Sequence, residues 1–217
     1  MSHQRADTVS AIEACGVVAV IRMREAGKVR AMVDALGEGG VRAIEVTMTV
    51  PGAIDLIGRL APALPSEFVL GAGTILDAET ARLAILAGAK FIVGPVFRPE
   101  VIAMCHRHDV AAVPGCFTPT EILSAWEAGA DIVKVFPATA LGPGFFKDVR
   151  APLPQVKLMP TGGVSLDNAG DWIAAGAVAV GVGTALLDAA AIAAGAYAVI
   201  TANAKRIVGN VAAARAR

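Results

Sequence analysis

The chain has 217 residues, enough for one large domain, although a compact parallel barrel usually has about 250. Hydrophobic residues make up 55% of the chain and aromatic residues only 5%. This composition is typical of buried parallel strands flanked by Ala-rich helices. The formal net charge is zero, so we expect no broad electrostatic attraction to nucleic acid or to an anionic membrane, whereas a small anionic ligand needs only local donors.

The sequence predicts neither a membrane span nor an export signal. The uncharged stretch Trp172–Leu187 is shorter than the roughly 20 residues that a membrane helix needs, and it contains glycines. Met1–Ser10 is polar and lacks the apolar core of a signal peptide, which predicts a cytoplasmic protein. Cys15, Cys105 and Cys116 form no CxxC pair, so we expect reduced intracellular thiols.

Short apolar runs recur along the chain, and most of them end in Gly, Pro or Thr. Helical patterns such as Ala78–Ala87 and Thr118–Ala128 lie between them. Glycines follow several of these patterns in the position of a left-handed helix cap, namely Gly39-Gly40, Gly88, Gly129 and Gly176. The eight predicted strands are Val17–Ile21, Ala43–Thr47, Phe68–Gly73, Phe91–Pro95, Ala111–Gly115, Ile132–Pro137, Lys157–Gly162 and Val178–Gly183.

Eight strand–helix units of uniform composition predict an α/β protein, a single (β/α)₈ TIM barrel whose one domain spans residues 1–217. An open doubly wound sheet is the alternative that the same pattern allows. In a barrel, chemistry lies at the C-terminal ends of the strands, so those ends are where we look for functional side chains.

Polar side chains occur on the second predicted strand and after the third. Glu45 lies mid-strand, and its neighbours on the same face are Ala43 and Thr47. Burial raises the pKa of such a carboxyl group toward the working pH, which suits proton transfer; the alternative is a structural ion pair. Thr74 can donate its hydroxyl to a carboxylate, although threonine is common at strand ends.

Lys134 interrupts the sixth predicted strand, which is otherwise apolar. Alternation places Lys134 on one face with Ile132 and Phe136, and this face has no obvious route to water. Burial disfavours the ammonium, so we expect a lowered pKa and a neutral amine, the form that attacks a carbonyl carbon. The alternative is a lysine paired with a buried carboxylate for structure alone, although such a pair contributes little net stability.

Two glycine-rich segments close the seventh and eighth predicted strands, Thr161-Gly162-Gly163 and Gly181-Val182-Gly183-Thr184. Barrels commonly bind phosphate at this place, using backbone N–H groups and a helix N-terminus. Glycine lets the backbone approach the anion closely, and the Thr184 hydroxyl adds a donor. The alternative interpretation is two tight turns without a ligand.

The sequence predicts no metal and no cofactor. Gly71-Ala72-Gly73 and Gly181-Val182-Gly183 do not complete GxGxxG, because Leu76 and Leu186 stand in place of the third glycine. Cys105-His106-Arg107-His108 lacks helical ligand spacing, since residues i and i+2 do not share a helix face. We interpret it as the polar end of a helix.

At these positions the chain resembles the bacterial 2-dehydro-3-deoxy-6-phosphogluconate (KDPG) aldolases, some of which also cleave 4-hydroxy-2-oxoglutarate. The resemblance begins at about Ile12 and covers nearly the whole chain. Its carriers are Ile44-Glu45-Val46-Thr47, Gly71-Ala72-Gly73-Thr74, Pro114-Gly115-Cys116-Phe117-Thr118-Pro119-Thr120-Glu121, Val133-Lys134-Val135-Phe136-Pro137 and Pro160-Thr161-Gly162-Gly163.

The resemblance implies a class I, metal-independent aldolase that assembles as a homotrimer. It implies that Lys134 forms a Schiff base with the substrate, that Glu45 transfers protons and that Thr74 holds the pyruvate carboxylate. The other implied substrate-binding residues are Thr161 for stereochemical preference, Gly162, Gly163, Gly183 and Thr184 for phosphate, and Pro95 and Phe136 for the shape of the pocket.

The turn after the Glu45 strand departs from the family pattern. Well-studied members have an arginine in this turn, where the present chain has Thr49. A subgroup resembles the chain better, with Thr-Val-Pro in the turn and an arginine that ends the first strand, here Arg22. This resemblance implies that Arg22 holds the carboxylate; the alternative is a surface arginine without a ligand.

We therefore expect cleavage of KDPG into pyruvate and glyceraldehyde 3-phosphate, with no nucleic acid or membrane partner. The closest alternative is the same chemistry on the galactonate epimer or on an unphosphorylated 2-keto acid. A phosphate-binding barrel isomerase or synthase, in which Lys134 acts only as a cation, is an alternative of another class. A non-catalytic sugar-phosphate binder is the third.

Overall fold

The computed structural model describes residues 4–22 and 26–216. Its strands are β1 (Val17–Ile21), β2 (Ala43–Thr47), β3 (Val69–Gly73), β4 (Phe91–Val93), β5 (Ala111–Val113), β6 (Gly115–Cys116), β7 (Val133–Val135), β8 (Leu158–Pro160) and β9 (Val180–Val182). Its α-helices are α1 (Gln4–Cys15), α2 (Val29–Glu38), α3 (Ala53–Leu60), α4 (Ala78–Leu86), α5 (Pro99–Arg107), α6 (Pro119–Glu127), α7 (Gly142–Arg150), α8 (Ala169–Ala174), α9 (Ala189–Ala193) and α10 (Tyr197–Arg215). Two 3₁₀ turns span Ala26–Lys28 and Ala138–Ala140.

The strands form a curled parallel sheet and a smaller one beside it. Six strands pair in the order β5-β4-β3-β2-β1-β9, and β6, β7 and β8 form a three-stranded sheet. Isolated parallel bridges join Leu158 to Ala177 and Thr161 to Gly181, next to β8 and β9. The C-terminal ends of all these parallel strands therefore face the same side of the molecule.

Each of the eight predicted strands contains a strand of the structure, but the fifth is divided. The predicted run Ala111–Gly115 breaks at Pro114 into β5 and β6, which belong to different sheets. Proline has no N–H for the ladder, whereas its carbonyl still accepts a hydrogen bond from Lys134 N at 2.9 Å. The strand therefore breaks at Pro114, although the sequence pattern predicted one continuous strand over Ala111–Gly115.

The concave face of the sheets has its own apolar layer, separate from the larger core between strands and helices. Val9 and Ile12 of α1 belong to this inner cluster, so α1 covers the N-terminal ends of the strands. The opposite, C-terminal side remains for a ligand. The strand residues in the inner cluster are Val18, Ala43, Val69, Phe91, Val93, Ala111, Val113, Ile132, Met159 and Ala179.

Glycines end several helices in the predicted left-handed conformation, with φ of +108° at Gly88, +96° at Gly129 and +103° at Gly176. In the predicted Gly39-Gly40 cap, Gly40 takes this role with φ +90°, whereas Gly39 has φ −84°. Within residues 4–22 and 26–216, no helix is long and apolar enough to cross a membrane.

Candidate active site

Lys134 lies on β7 and is 2% exposed. Its Cα is paired with Met159 of the inner cluster and with Gly115. The Nζ atom lies 4.9 Å from the centre of the Phe136 ring. Burial lowers the pKa of Lys134, and the charge of Arg22 lowers it further, while Glu45 opposes both effects.

Glu45 lies on β2 and is 1% exposed, with its Cα paired with Val20 and Gly71. A side chain at Gly73 would overlap the Glu45 carboxyl group, so this glycine leaves the space that the carboxyl occupies. Burial raises the pKa of Glu45, and the charges of Lys134 and then Arg22 oppose that rise. Among the described residues, Glu45 Oε1 is buried without a hydrogen-bond partner.

The two pKa shifts favour the chemistry of a carbonyl. Because the Lys134 pKa is lowered, its neutral amine is present at lower pH than for a free lysine. Because the Glu45 pKa is raised, its carboxyl group can take up and release a proton nearer to neutral pH. A buried carboxyl oxygen without a hydrogen-bond partner suits a ligand or water that carries a transferable proton.

A cavity of about 350 Å³ opens at the C-terminal ends of the strands. It brings together seven of the residues that the sequence singled out, namely Arg22, Phe136, Thr161, Gly162, Gly163, Gly183 and Thr184. The other four predicted site residues do not line this cavity, namely Glu45, Lys134, Thr74 and Pro95. Glu45 and Lys134 are buried, and Thr74 and Pro95 are half-buried. The Pro95 backbone packs where a side chain at Gly115 would lie.

The glycines of the cavity are needed for different reasons. Gly162 has φ +89° and Gly163 φ +74°, which side-chain-bearing residues rarely adopt. A Cβ at Gly163 would also lie 2.9 Å from Thr139 Cα. At Gly183 a Cβ would find an ordinary contact, 3.5 Å from Val20 O, so no backbone strain requires glycine there. Gly183 lines the cavity, so a larger residue there would take up space that a ligand could fill.

Polar groups surround this cavity and the mouth of the sheet. Arg22 is exposed directly after β1, yet it is near enough to lower the pKa values of both Glu45 and Lys134. Thr161 is 4% exposed, and its Oγ1 has no hydrogen-bond partner among the described residues. Thr74 has φ +61°, a strained value for a β-branched residue at the end of β3.

The apolar wall of the cavity was missed in the sequence. It consists of Val20, Met32, Val164, Leu187 and Ile192, with Ala189 and Ala193. These residues fit the ordinary apolar pattern of strands and amphipathic helices, and nothing in that pattern distinguishes a wall of the cavity from the core.

The polar segment at the end of α5, residues 105–108, contacts a neighbouring acidic residue. His106 Nε2 lies 3.7 Å from Asp131, which also pairs with Arg5 at 3.3 Å. Burial raises the pKa of Cys105 to about 12, so its thiol rarely ionises to the thiolate that binds a metal. Across the described part of the chain, no three His, Cys, Asp or Glu side chains form a candidate metal site.

Comparison with known proteins places the whole arrangement in one family. The family model described as KDPG and KHG aldolase matches residues 9–203. The chain is 36% identical over 193 residues to the 2-dehydro-3-deoxy-phosphogluconate aldolase of Treponema pallidum, which covers 88% of this chain and 91% of the relative. It is 33% identical to the 2-dehydro-3-deoxy-6-phosphogalactonate aldolase of Escherichia coli, covering 80% and 85% of the two chains.

A solved structure shows the same likeness in three dimensions. The KDPG aldolase of Legionella pneumophila, with pyruvate captured as a covalent carbinolamine intermediate, superposes with a TM-score of 0.85. The two chains are 27% identical, and the match covers 92% of this chain and 97% of the other.

Proposed function

Because this chain belongs to the KDPG and KHG aldolase family, and is therefore a lyase, we propose that it cleaves its substrate through a Schiff base on Lys134. The observation that carries the proposal is a buried lysine of lowered pKa, electrostatically coupled to Glu45, whose buried oxygen has no partner among the described residues. Each side chain lies in the middle of a buried strand, where a charged residue is rare without a partner or a function.

In the proposed mechanism the neutral amine of Lys134 attacks C2 of a 2-keto acid. The carbinolamine takes up one proton, loses one water and becomes an iminium, which carries a positive charge where the amine had none. That charge lies beside Glu45 and lowers its pKa, so the carboxyl group becomes ionised when a base is needed. Schiff-base formation therefore prepares Glu45 for the next step.

Glu45, directly or through a water, then removes the proton of the C4 hydroxyl. The C3–C4 bond breaks, its electron pair moves into the iminium to form an enamine, and the aldehyde leaves. Protonation of the enamine at C3 regenerates an iminium. One water then hydrolyses the iminium to pyruvate, the free amine of Lys134 and one proton, which replaces the proton taken up in the first step. The limited access of water strengthens each charge interaction in this sequence.

We propose KDPG as the substrate and glyceraldehyde 3-phosphate as the second product. Backbone N–H groups at Gly162, Gly163, Gly183 and Thr184 would hold the phosphate, with the Thr184 hydroxyl as a further donor. Arg22 and Thr74 would hold the carboxylate. Phe136, Thr161 and Pro95 would shape the space around the reacting carbons.

The galactonate epimer and 4-hydroxy-2-oxoglutarate are the alternative substrates of the same site. The relatives named above include aldolases for both phosphorylated epimers, which supports testing them side by side. Comparison of kcat/KM for the two epimers and the unphosphorylated acid would rank them. A phosphate site predicts that the unphosphorylated acid comes last.

For the architecture we propose a closed eight-stranded barrel that forms one domain and assembles as a homotrimer. The bridge from Thr161 to Gly181 and the hydrogen bond from Lys134 to Pro114 support closure of the barrel. Exposed apolar side chains on consecutive units support self-association, namely Leu76, Leu83, Leu86, Val96 and Phe117. The cytoplasmic location stays a prediction.

Borohydride trapping tests the proposed function. The protein is incubated with pyruvate and borohydride, and the labelled peptide is identified by mass spectrometry. We expect label on Lys134, and none in Lys134→Arg, which should also lose cleavage. Lys90→Arg, an exposed lysine, is the matched control and should behave as the wild type. Label on another lysine, or full cleavage by Lys134→Arg, contradicts the proposal.

A further inference from the structure

Two threonine hydroxyls connect the β2 turn to the end of β1. Thr47 Oγ1 donates to the carbonyl oxygen of Ile21 at 3.0 Å, and it lies 2.6 Å from Thr49 Oγ1. Thr47 is 0% exposed, whereas Thr49 is exposed in the turn after β2. The chain therefore has a buried link between the residue that precedes Arg22 and the turn in which Thr49 lies.

The direction of both hydrogen bonds follows from the number of protons. A threonine hydroxyl has one proton, and a carbonyl oxygen can only accept. If Thr47 turned its proton toward Thr49, its oxygen would face the Ile21 carbonyl oxygen at 3.0 Å with no proton between them. Thr47 therefore donates to Ile21, and the proton between the two threonines belongs to Thr49.

This direction decides what Thr49 can offer a ligand. Its one proton is already donated to Thr47, so its outward side presents lone pairs only. A carboxylate also presents only lone pairs, so Thr49 is a poor partner for the carboxylate of pyruvate. Of the two positions that distinguish the subgroup, Arg22 alone then carries donors toward that carboxylate.

The same two hydroxyl groups also help to hold the backbone at Arg22 in position. β1 and β2 pair with Ile21 opposite Val46, and continuing this register brings Arg22 opposite Thr47. The hydrogen bond to the Ile21 carbonyl fixes the peptide group from which the Arg22 backbone continues. When this backbone is already fixed, the Arg22 side chain loses less conformational entropy as it becomes ordered on a ligand.

We propose that Thr47 and Thr49 are positioning residues, whose hydrogen-bond chain to the Ile21 carbonyl sets Arg22 to receive the carboxylate of the keto acid. The proposal rests on the proposed function, because it takes Arg22 as the carboxylate anchor. Thr47 is fully buried and does not line the cavity, so an effect of Thr47 on substrate binding would pass through Arg22.

A double-mutant cycle tests this dependence. The measured quantity is the pyruvate concentration that gives half-maximal borohydride trapping of Lys134. One hydrogen bond corresponds to about a threefold to tenfold effect, so Thr47→Val should raise that concentration by this factor in the wild-type background. In the Arg22→Ala background the same substitution should change it by less than about twofold, because the group it positions is gone.

Controls separate positioning from damage to the fold. Thr47→Ser keeps the hydroxyl and should restore half-saturation to near the wild-type value. Thr8→Val makes the same change at another buried threonine, on α1 at the opposite end of the strands, and should have no effect. If Thr47→Val does not fold, Thr49→Val breaks the outer bond at an exposed residue and should show a smaller, equally Arg22-dependent effect.

The outcomes distinguish this inference from the function on which it rests. Equal effects of Thr47→Val with and without Arg22, or no rescue by Thr47→Ser, overturn the positioning role. Unchanged half-saturation in Thr47→Val and Thr49→Val overturns it as well. If Arg22→Ala alone leaves half-saturation unchanged while Lys134 is still labelled, Arg22 is not the anchor. If Lys134 is not labelled at all, the Schiff-base function itself fails.

Discussion

Glu45 and Lys134 shift each other's ionisation although they lie on strands far apart in the chain. Each is buried, and burial dominates both shifts: it raises the pKa of Glu45 and lowers the pKa of Lys134. The mutual attraction acts against burial in both groups. Burial therefore favours the neutral form of both groups, and a charge that develops on one favours ionisation of the other, which suits a site that must form an iminium and move a proton.

The pH dependence of trapping should respond in opposite directions to two substitutions. The Glu45 charge raises the pKa of Lys134, so Glu45→Gln should lower that pKa further and move the rise of the trapping rate to lower pH. The Arg22 charge lowers the pKa of Lys134, so Arg22→Ala should move the rise to higher pH. The measurement is the initial rate of borohydride labelling at saturating pyruvate across a pH series.

Cleavage should separate from trapping in the same Glu45→Gln protein. Loss of a positioned acid–base group typically costs about 10²–10⁴-fold in rate, so cleavage should fall by that order while label still forms on Lys134. A Glu45→Gln protein that cleaves at the wild-type rate, or two variants whose trapping profiles move in the same direction, would contradict the assigned roles.

Gly183→Ala and Gly162→Ala should damage the protein in different ways. At Gly183, which lines the cavity, the added methyl group meets no backbone strain, so KM for the phosphorylated substrate should rise while the free energy of unfolding stays the same. At Gly162, φ +89° makes alanine strained, so a loss of unfolding free energy of about 1–3 kcal/mol should accompany the rise in KM.

Urea denaturation and kinetics on two substrates measure these effects. Turnover of 4-hydroxy-2-oxoglutarate, which has no phosphate, should suffer less than turnover of KDPG in Gly183→Ala. Gly58→Ala, on α3 with open space around it, is the control and should have no effect on KM. Equal losses on both substrates would assign Gly183 to folding or to the keto-acid end.

The positions of the strands could be predicted because they depend on local, repeated signals. Apolar runs that end in Gly, Pro or Thr marked each strand, and Lys134 stood out because a buried strand rarely carries a lysine. Glu45 stood out for the same reason. Motifs at several strand ends then identified the family.

Other features depend on contacts between distant residues and leave no local signal. Met32 and Ile192 line the cavity but occupy ordinary apolar positions. The strained φ of Thr74 and the hydrogen-bond direction at Thr47 follow only from the packed structure. The break at Pro114 was visible as a proline, but which sheet each half joins depends on tertiary pairing.

Arg22→Ala should reduce kcat/KM through the carboxylate end of the substrate. Truncating a charge that pairs with a bound carboxylate commonly costs about 2–5 kcal/mol, and the exposure of Arg22 favours the lower end, roughly thirtyfold in kcat/KM. Arg22→Lys keeps the charge but not the planar fork and should recover part of the loss. The measurement is kcat/KM for KDPG by steady-state kinetics, with Arg30→Ala as the control at another exposed arginine. If Arg22→Ala lowers kcat/KM by less than about threefold, the carboxylate anchor lies elsewhere.

Thr74→Gly should make the protein more stable and a poorer enzyme. Thr74 has φ +61°, and a side-chain-bearing residue in that region costs about 1–3 kcal/mol, which glycine relieves. The greater conformational entropy that glycine gives the unfolded chain offsets about 0.5–1 kcal/mol of this stabilisation. The free energy of unfolding should therefore rise by about 1 kcal/mol in urea denaturation. Loss of the hydroxyl should raise the pyruvate concentration for half-maximal trapping, if Thr74 donates to the carboxylate.

Thr80→Gly makes the same chemical change in the first turn of α4, where the backbone is helical and carries no such strain. It should lower the free energy of unfolding by up to about 1 kcal/mol and leave pyruvate trapping unchanged. The opposite signs of the two stability changes isolate the effect of the backbone conformation. If Thr74→Gly destabilises the protein as Thr80→Gly does, the conformation at Thr74 is not strained. If it is more stable and traps pyruvate as well as the wild type, the strain at Thr74 serves no carboxylate binding.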